Sequence, residues 1–471
     1  MAKFSPKIYH EMSNNYSRRD ISSILEHASK LKGKSLRQVC GEDVNNNSYT
    51  GKGNFGQILE KYYFEYEPNS VSEPDFHEVG IELKSSPLKK SKKNHLSAKE
   101  RLVLSIINYH EIINQDFDSS SLLIKNNHLL LILYLYEKGI DVLDLVIKLV
   151  GDWKIPPEDL QIIKSDWLKI QSKVSAGLAH ELSEGDTLYL GACTKGGKGG
   201  NPRQQPNSTI LAKQRAFSLK QGYLNHVIGK LSQRSGVNYG KVIDSPTTDL
   251  NFEDLVIAKF EKYYTKSTEE IEAYLGLKLN KKAKSYFASL SKRILGVDIK
   301  SEIEEFAKAD IIIKTVRLKN NDLPKESISF PTFKYEEIIN EEWEEAAFKA
   351  VLEQKFLFIF YQIDKDKLIL KKAKFWNMPY RDIEKAKLVW DRTKQIILDG
   401  NIVTEVTEKG KRKTNFPSTK FNGVAHVRPH AQNAKDSYAL PVNDKLTGLS
   451  SYTKHCFWLN NSYIKEEIFL R

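Results

Sequence analysis

Gly80-Ile81-Glu82-Leu83-Lys84-Ser85 and Ile311-Ile312-Ile313-Lys314-Thr315 decide the fold, because the second stretch reads as a diverged copy of the first. On a strand, successive side chains alternate between faces, so Glu82 and Lys84 share one face while Ile81 and Leu83 point into a core. Residues 129–136 and 356–361 follow as short, continuous apolar runs, the pattern of central strands covered on both sides. Further out, Trp167 precedes Gly177 at the spacing with which Trp390 precedes Gly400. In the first copy Leu160, Ile163, Trp167, Ile170 and Val174 fall on one helix face, and Gly177 is placed to cap that helix. Phe217-Ser218-Leu219, followed by Tyr223 and Ile228, recurs as Phe457-Trp458-Leu459, followed by Tyr463 and Ile468. The pairs keep one order in both halves, which is the signature of an internal duplication. Each half reads as helix, strand, strand, helix, short strand, loop, helix. The class is therefore α/β: two tandem domains, each a mixed central sheet flanked by helices. Residues 231–250 carry Ser235-Gly236 and Ser245-Pro246 and no apolar periodicity. The expected division is 1–232, a linker 233–250, and 251–471.

A chain of 471 residues has room for two or three domains, and 40% hydrophobic content with 10% aromatics is enough to fill their cores. The longest clean apolar run, residues 129–136, is far short of the ~20 residues that a membrane-spanning helix needs. Residues 1–20 mix Lys3, Lys7, Arg18 and Arg19 with polar residues and offer no apolar segment to a secretion machinery, so a cytoplasmic protein is expected. Cys40, Cys193 and Cys456 have neither a disulfide framework nor a zinc-ligand spacing and read as reduced thiols. The formal charge of +12 makes a polyanion the natural partner. Its placement sharpens that reading: Lys84, Lys89, Lys90, Lys92, Lys93, Lys99 and Arg101 surround the single acid Glu100, a local field suited to phosphates.

Asp75 precedes Glu82, and Lys84 follows it after one apolar residue. Two carboxylates and an ammonium then meet at one edge of a sheet. Mg²⁺ is a hard ion that takes oxygen ligands, and two carboxylates hold it while leaving room for water and a phosphate oxygen. Such an ion acidifies water and neutralises charge building on the phosphorus oxygens. Lys84 would sit beside the attacking water. By itself Glu-x-Lys is a weak signal, since it recurs at Glu353-Gln354-Lys355 with Ala346 where the first carboxylate should stand. The setting strengthens it. A helix with Phe55, Ile58, Leu59, Tyr62 and Tyr63 on its apolar face carries Gly56 and Glu60 one turn apart on its flank. Gly56 admits close approach of a neighbour, and Glu60 can reach the same edge.

The Lys52-Gly53-Asn54-Phe55-Gly56-Gln57-Ile58-Leu59-Glu60 run, the Asp75/Glu82/Lys84 triplet, and Lys125 before an apolar strand resemble the catalytic half of MutH-like nucleases. The resemblance continues through Asp166-Trp167, Gly177, Lys195 and Phe217-Ser218-Leu219-Lys220. In length and duplication the chain resembles the two-domain GATC-cutting restriction enzymes of that family. This implies two tandem restriction-endonuclease-like domains, with Asp75 and Glu82 as Mg²⁺ ligands, Lys84 and Lys125 as catalytic lysines, and Glu60 as a supporting acid. Hydrolysis of double-stranded DNA 5′ of the G of GATC, and a cognate methyltransferase as functional partner, are implied in the same way.

Residues 191–207 hold Gly191, Gly196, Gly197, Gly199 and Gly200 among Lys195, Lys198, Arg203, Asn201, Gln204, Gln205 and Asn207. They read as a loop between a strand ending near Leu190 and a helix containing Phe217. Such a loop offers backbone amides to phosphates and side chains that read base edges. It is no nucleotide P-loop, because Gly197 stands where that motif requires Lys. The resemblance implies a base contact for Lys195 and phosphate contacts for Arg215 and Lys220, with Lys52, Lys198, Arg203 and Ser218 in the same DNA surface. Ser218 stands where the mismatch-repair nickase has the Tyr that senses adenine methylation, which favours restriction over strand-directed repair. In the second half Ile312 takes the place of Glu82, so no metal site is expected there. Val427-Arg428-Pro429-His430 and Asn433 match the family's base-reading loop better than the first half does, implying a DNA-binding effector domain. With one active site per chain, a double-strand break requires two molecules meeting on the DNA or two successive nicks. The rival readings are a mismatch-repair nickase and a non-catalytic DNA-binding regulator.

Overall fold

The computed structural model describes residues 16–41, 44, 54–69, 71–91, 95–196, 201–232, 237–243, 251–433 and 435–471. Two compact units emerge, residues 1–104, 115–157 and 224–235 in one and residues 105–114, 158–223 and 236–471 in the other. Their bounds do not follow the halves of the chain, for the first copy is shared between the units. Among the described residues no helix is long and apolar enough to cross a membrane.

The first unit is built on a four-stranded mixed sheet. Strand β1 (Glu82–Lys90) pairs antiparallel with β2 (Leu96–Ala98) on one side and parallel with β3 (His128–Leu135) on the other, and β3 pairs antiparallel with β4 (Ile147–Lys154). The apolar run expected to be a central strand is β3, five of whose residues are essentially inaccessible. One sheet face is covered by helices α1 (Ile21–Ser29), α2 (Leu36–Cys40) and α3 (Asn54–Ile58). Asp20 starts α1 by accepting from the Ser22 and Ser23 amides, which satisfies donors that have no partner inside the helix. Ile24, Ala28, Leu36, Phe55, Ile58 and Leu59 pack on Leu83, Leu130 and Ile132 in one core. At roughly 25 cal/mol per Å² of apolar surface removed from water, this packing is the main force holding the sheet edge in place. Helix α4 (Ser121–Asn126), capped by Ser120, leads into β3.

In the second unit the same plan recurs. Strand β7 (Ile312–Leu318) runs parallel to β8 (Phe356–Asp364), which pairs antiparallel with β9 (Lys367–Trp376). Glu82 opposite Leu129 in the first sheet therefore corresponds in register to Ile312 opposite Phe356 in the second. Two further antiparallel pairs match each other, β5 (Leu190–Thr194) with β6 (Arg215–Leu219), and β10 (Ala425–Pro429) with β11 (His455–Leu459). Each copy also has one long helix, α5 (Pro157–Ser175) and α9 (Tyr380–Leu398), and the Trp–Gly landmarks fall at corresponding places on them.

Two buried details are duplicated atom for atom. Asp159 near the start of α5 accepts from the Tyr223 hydroxyl at 2.9 Å, and Asp382 near the start of α9 accepts from Tyr463 at 2.9 Å. Gly177 and Gly400, both with positive φ, end these helices where a Cβ would stand 2.6 Å from the Asn207 carbonyl oxygen and 2.7 Å from that of Asn443. Only glycine tolerates both the conformation and the approach. The cations on these aspartates differ: Lys308, on α7 (Glu304–Ala309), is buried and donates to Asp159 at 2.9 and 3.1 Å and to Glu304 at 2.8 Å, whereas Asp382 accepts from the exposed Lys385 at 3.1 Å.

Two sequence expectations are corrected. Phe217 lies on β6, and the helix α6 (Gln221–Leu231) begins after it. A five-residue strand buried along its whole length has no polar alternation to distinguish it from a helical turn. The segment expected to be an open loop contains a hairpin, Pro202–Gln205 with Ser208–Lys213, which turns at Asn207 in the left-handed conformation.

Candidate active site

Glu82 opens β1 and is nearly inaccessible. Just before it, Phe76 and Ile81 exchange backbone hydrogen bonds of 2.9 and 3.2 Å, closing a tight turn that carries Asp75 back beside the strand. The Asp75 amide donates to Glu82 Oε2 at 3.1 Å, and Asp75 Oδ2 accepts from the Leu83 amide at 3.0 Å. Lys84, on the same strand face as Glu82, donates to Glu82 Oε1 at 2.7 Å. Lys125 arrives from the last turn of α4, with its ammonium 3.7 Å from Glu82 Oε1 and donating to the Val71 carbonyl at 2.6 Å. Ile81 and Leu83 face the core, as the alternation requires. Glu60 lies in a π-helical turn, Leu59–Tyr63, that continues α3, a widening that recurs at functional positions. Close approach at Gly56 holds as well: a Cβ there would stand 3.1 Å from Ser85 Oγ.

Burial dominates the electrostatics. It pushes the Glu82 carboxyl up to about 7, against the pull of Lys84 and with the push of Asp75. Glu60 is pushed up to about 7 by burial and then by the charge of Asp75, opposed by Lys84. Glu60 and Glu82, whose ionised forms resist burial, form with Asp75 a hard-oxygen donor set, and a divalent cation is the species that would offset that cost. The chemistry of Asp75, Glu82 and Glu60 thus fits Mg²⁺. They are not gathered into a ready-made cage of three among the described residues, and the cation's place at Glu82 Oε1 is taken by Lys84.

The positions expected to touch DNA divide sharply. Lys195 and Arg203 are exposed and adjoin through Gln214, whose carbonyl accepts from the Lys195 amide at 2.8 Å and whose side chain accepts from Arg203 at 3.2 Å. Arg215 and Lys220 are buried: Arg215 donates to the Ala192 carbonyl at 2.7 Å, and Lys220 to that of Thr187 at 2.6 Å. As placed, neither reaches a phosphate, and burial pushes the Lys220 ammonium down to about 8. These lysine and arginine stems hold β5 and β6 together, a role that a motif cannot distinguish from phosphate binding. Asp166 contributes to the same scaffold by accepting from the amides of Leu188, Tyr189 and Leu190. Ser218 is buried opposite Gly191. Lys52 and Lys198 lie outside the described residues.

A family model for the DNA mismatch repair enzyme MutH matches residues 64–166 and again residues 295–388, once in each copy. The type II restriction enzyme Sau3AI of Staphylococcus aureus is 36% identical over 487 residues, covering 95% of this chain and 98% of that protein. The chain belongs to the MutH-like nuclease family. DNA mismatch repair protein MutH of Shewanella woodyi is 26% identical over 230 residues, 95% of its own length but 46% of this chain. MutH of Vibrio campbellii is 27% identical over 177 residues, 75% of its length and 36% of this chain. One MutH therefore corresponds to one copy, and the present member carries two.

The second MutH-like copy has lost the acidic edge. Ile312 stands at the Glu82 register, and Leu352, at the end of α8 (Ala347–Leu352), stands as far ahead of Phe356, the partner of Ile312, as Lys125 stands ahead of Leu129, the partner of Glu82. Lys314 persists without a carboxylate at the matching position, its ammonium pushed down by burial. Glu305, at the spacing of Asp75, is buried and accepts from the Val242 and Ile243 amides, so it caps backbone and faces no cation site. What this copy keeps is a cleft of about 660 Å³ lined by Arg428, His430, Gln432, Asp436, Lys454 and Trp458. The Arg428 guanidinium stacks 3.8 Å from the Trp458 ring centroid, and His430 meets the same ring edge-on at 5.3 Å. Asn433 is exposed beside them. Sequence reasoning found Arg428, His430 and Asn433 but missed Trp458 and Lys454. The signal was present, since Trp458 is the residue that repeats Ser218.

Proposed function

We propose that this protein is a Mg²⁺-dependent type II restriction endonuclease that hydrolyses double-stranded DNA at GATC, 5′ of the G, in the cytoplasm of a prokaryote. The observation that carries the reading is the acidic edge at which Glu60, Asp75 and Glu82 meet Lys84 and Lys125. When bound, Mg²⁺ supplies charge neutralisation and a more acidic water. Asp75 and Glu82 would hold it, and the hydrogen bonds from the Asp75 amide to the Glu82 carboxylate and from the Leu83 amide to the Asp75 carboxylate fix the spacing between them. Lys84 orients the attacking water from the same strand face, and Lys125, whose ammonium approaches the same oxygen of Glu82 from α4, meets a phosphate oxygen. The new phosphorus–oxygen bond forms from water as the bond to the 3′ oxygen breaks, leaving a 5′ phosphate.

The second domain is read as an effector that binds another DNA site through Arg428, His430 and Asn433 and assists cleavage by the first. Its exposed cationic cleft beside an aromatic ring supports this, because guanidinium–indole stacking leaves the outer face of the arginine for a base edge or phosphate. One catalytic edge per chain leaves double-strand cleavage to self-association on DNA or to two successive nicks. Incubation with plasmid and Mg²⁺ tests the whole reading. Linear fragments with ends at GATC support restriction, nicked circles support a mismatch-repair type of activity, and intact plasmid supports a DNA-binding regulator.

A further inference from the structure

Behind the acidic edge lies a hydroxyl that the reaction outlined above does not use. Tyr66 follows the π-helical turn that bears Glu60, and the chain reaches it through Glu65, which holds φ at 55° in the left-handed region. For a glutamate that conformation is strained, and such strain persists only where the surroundings impose it. Its effect is to fold Tyr66 back, so that the Tyr66 amide donates to the Glu60 carbonyl at 3.1 Å. The ring is wedged edge-on against Phe76 at 5.8 Å, and the Arg18 guanidinium covers it 4.9 Å from the centroid. Arg18 in turn donates to the Asp75 carbonyl at 3.2 Å, tying the ring to the turn that presents the carboxylate.

Tyr66 is 9% exposed, and its hydroxyl is buried without a hydrogen-bond partner among the described residues. Leaving a buried hydroxyl unsatisfied is destabilising, because it has given up its bond to water without a replacement. Phenylalanine would make the same ring contacts without that cost. Burial first, and then the charges of Asp75, Glu60 and Glu82 against the pull of Arg18, raise the ionisation of this hydroxyl well above the ordinary range, so it remains a phenol and a donor.

We propose that the Tyr66 hydroxyl is a positioning donor for the metal-holding carboxylates, completing its hydrogen bond with the oxygen shell of the acidic edge when a divalent cation is bound. The inference rests on the nuclease reading and adds to it a residue outside the Asp75/Glu82/Lys84 triplet. Arg18 acts through Tyr66 by clamping the ring. Occupation of the edge supplies the missing acceptor, so part of the affinity for the cation comes from relief of the orphaned hydroxyl.

Mn²⁺ alone, titrated into the full-length protein by electron paramagnetic resonance or calorimetry, is the direct probe. Tyr66→Phe is expected to weaken Mn²⁺ binding about 3- to 10-fold. Its metal-free melting temperature should hold or rise, its KM for DNA should be unchanged, and kcat should fall at subsaturating metal. A merely structural tyrosine would lower the melting temperature and leave the Mn²⁺ affinity alone. If Tyr66→Phe binds Mn²⁺ as tightly as the parent while Glu82→Ala does not, the Tyr66 inference is overturned and the nuclease reading stands. If Glu82→Ala retains both Mn²⁺ binding and cleavage, both are overturned.

Discussion

The first copy keeps an acidic edge and has a plain recognition strand, and the second copy does the reverse. Strand register makes the comparison residue by residue. Glu82 on one sheet and Lys125 on the helix that leads into it correspond to Ile312 and Leu352 in the other copy. Gly191, Cys193 and Ser218, small and buried on β5 and β6, correspond to His426, Arg428 and Trp458 on β10 and β11. The Asp–Tyr pairs and the two helix-ending glycines are the same in both. The lesson is that folding groups and chemical groups diverge independently. A buried carboxylate that satisfies a tyrosine recurs wherever the helix packs, whereas the acidic edge beside Lys84 occurs in the first copy alone among the described residues.

The contrast can be broken most severely at Glu82. Glu82→Ala should lower the cleavage rate by at least about 10³-fold, since under the proposed function it removes a ligand to the ion that neutralises the transition state. DNA affinity in a gel shift should persist, and substantial residual cutting would remove the catalytic assignment. Next in size, Arg428→Ala should weaken binding to a second DNA site about tenfold. Binding should also fall steeply with salt, as counterion release requires. An unchanged anisotropy titration would reduce the second copy to a buttress.

A subtler effect concerns stability. The Glu82 carboxyl titrates near 7 when folded, against an ordinary value of 4.5. The folded state therefore binds this proton more tightly than the unfolded chain does. Its contribution is greatest below about 4.5 and is lost as pH rises through about 7, on the order of 3 kcal/mol. Melting in EDTA should show this decline, and Glu82→Gln should lessen it, leaving the part that Glu60 contributes in the same range; equal slopes for the two proteins would contradict the burial argument. The smallest expected effect is none at all. Adding Ile312→Glu to Glu82→Ala should restore no cleavage, because Glu305 is engaged by backbone amides and Leu352 offers no ammonium. Recovered activity would mean that the second copy is a dormant site.

Much of this was legible in the residues. The duplication, the central strands, the capping role of Gly177 and the shared face of Glu82 and Lys84 follow from periodicity, and periodicity reports faces reliably. The proximity of Lys125 came only from family resemblance, because a contact between separate elements leaves no local pattern. Arg215 and Lys220 mislead for the opposite reason: a basic residue beside a glycine-rich segment looks the same whether its ammonium meets a phosphate or a buried carbonyl. Tyr66 was invisible because its significance is an unfilled hydrogen bond, which belongs to the packing around it.

Lys308 gives the duplication a practical edge. Its ammonium lies among Asp159 and Glu304 with almost no solvent, so a polypeptide ending at the linker would strand a buried anion near the start of α5. Losing one partner of such a pair typically costs 3–5 kcal/mol. Recombination that shuffles these proteins at their midpoint should accordingly yield poorly folding chimaeras, unless the incoming segment brings its own cation for Asp159.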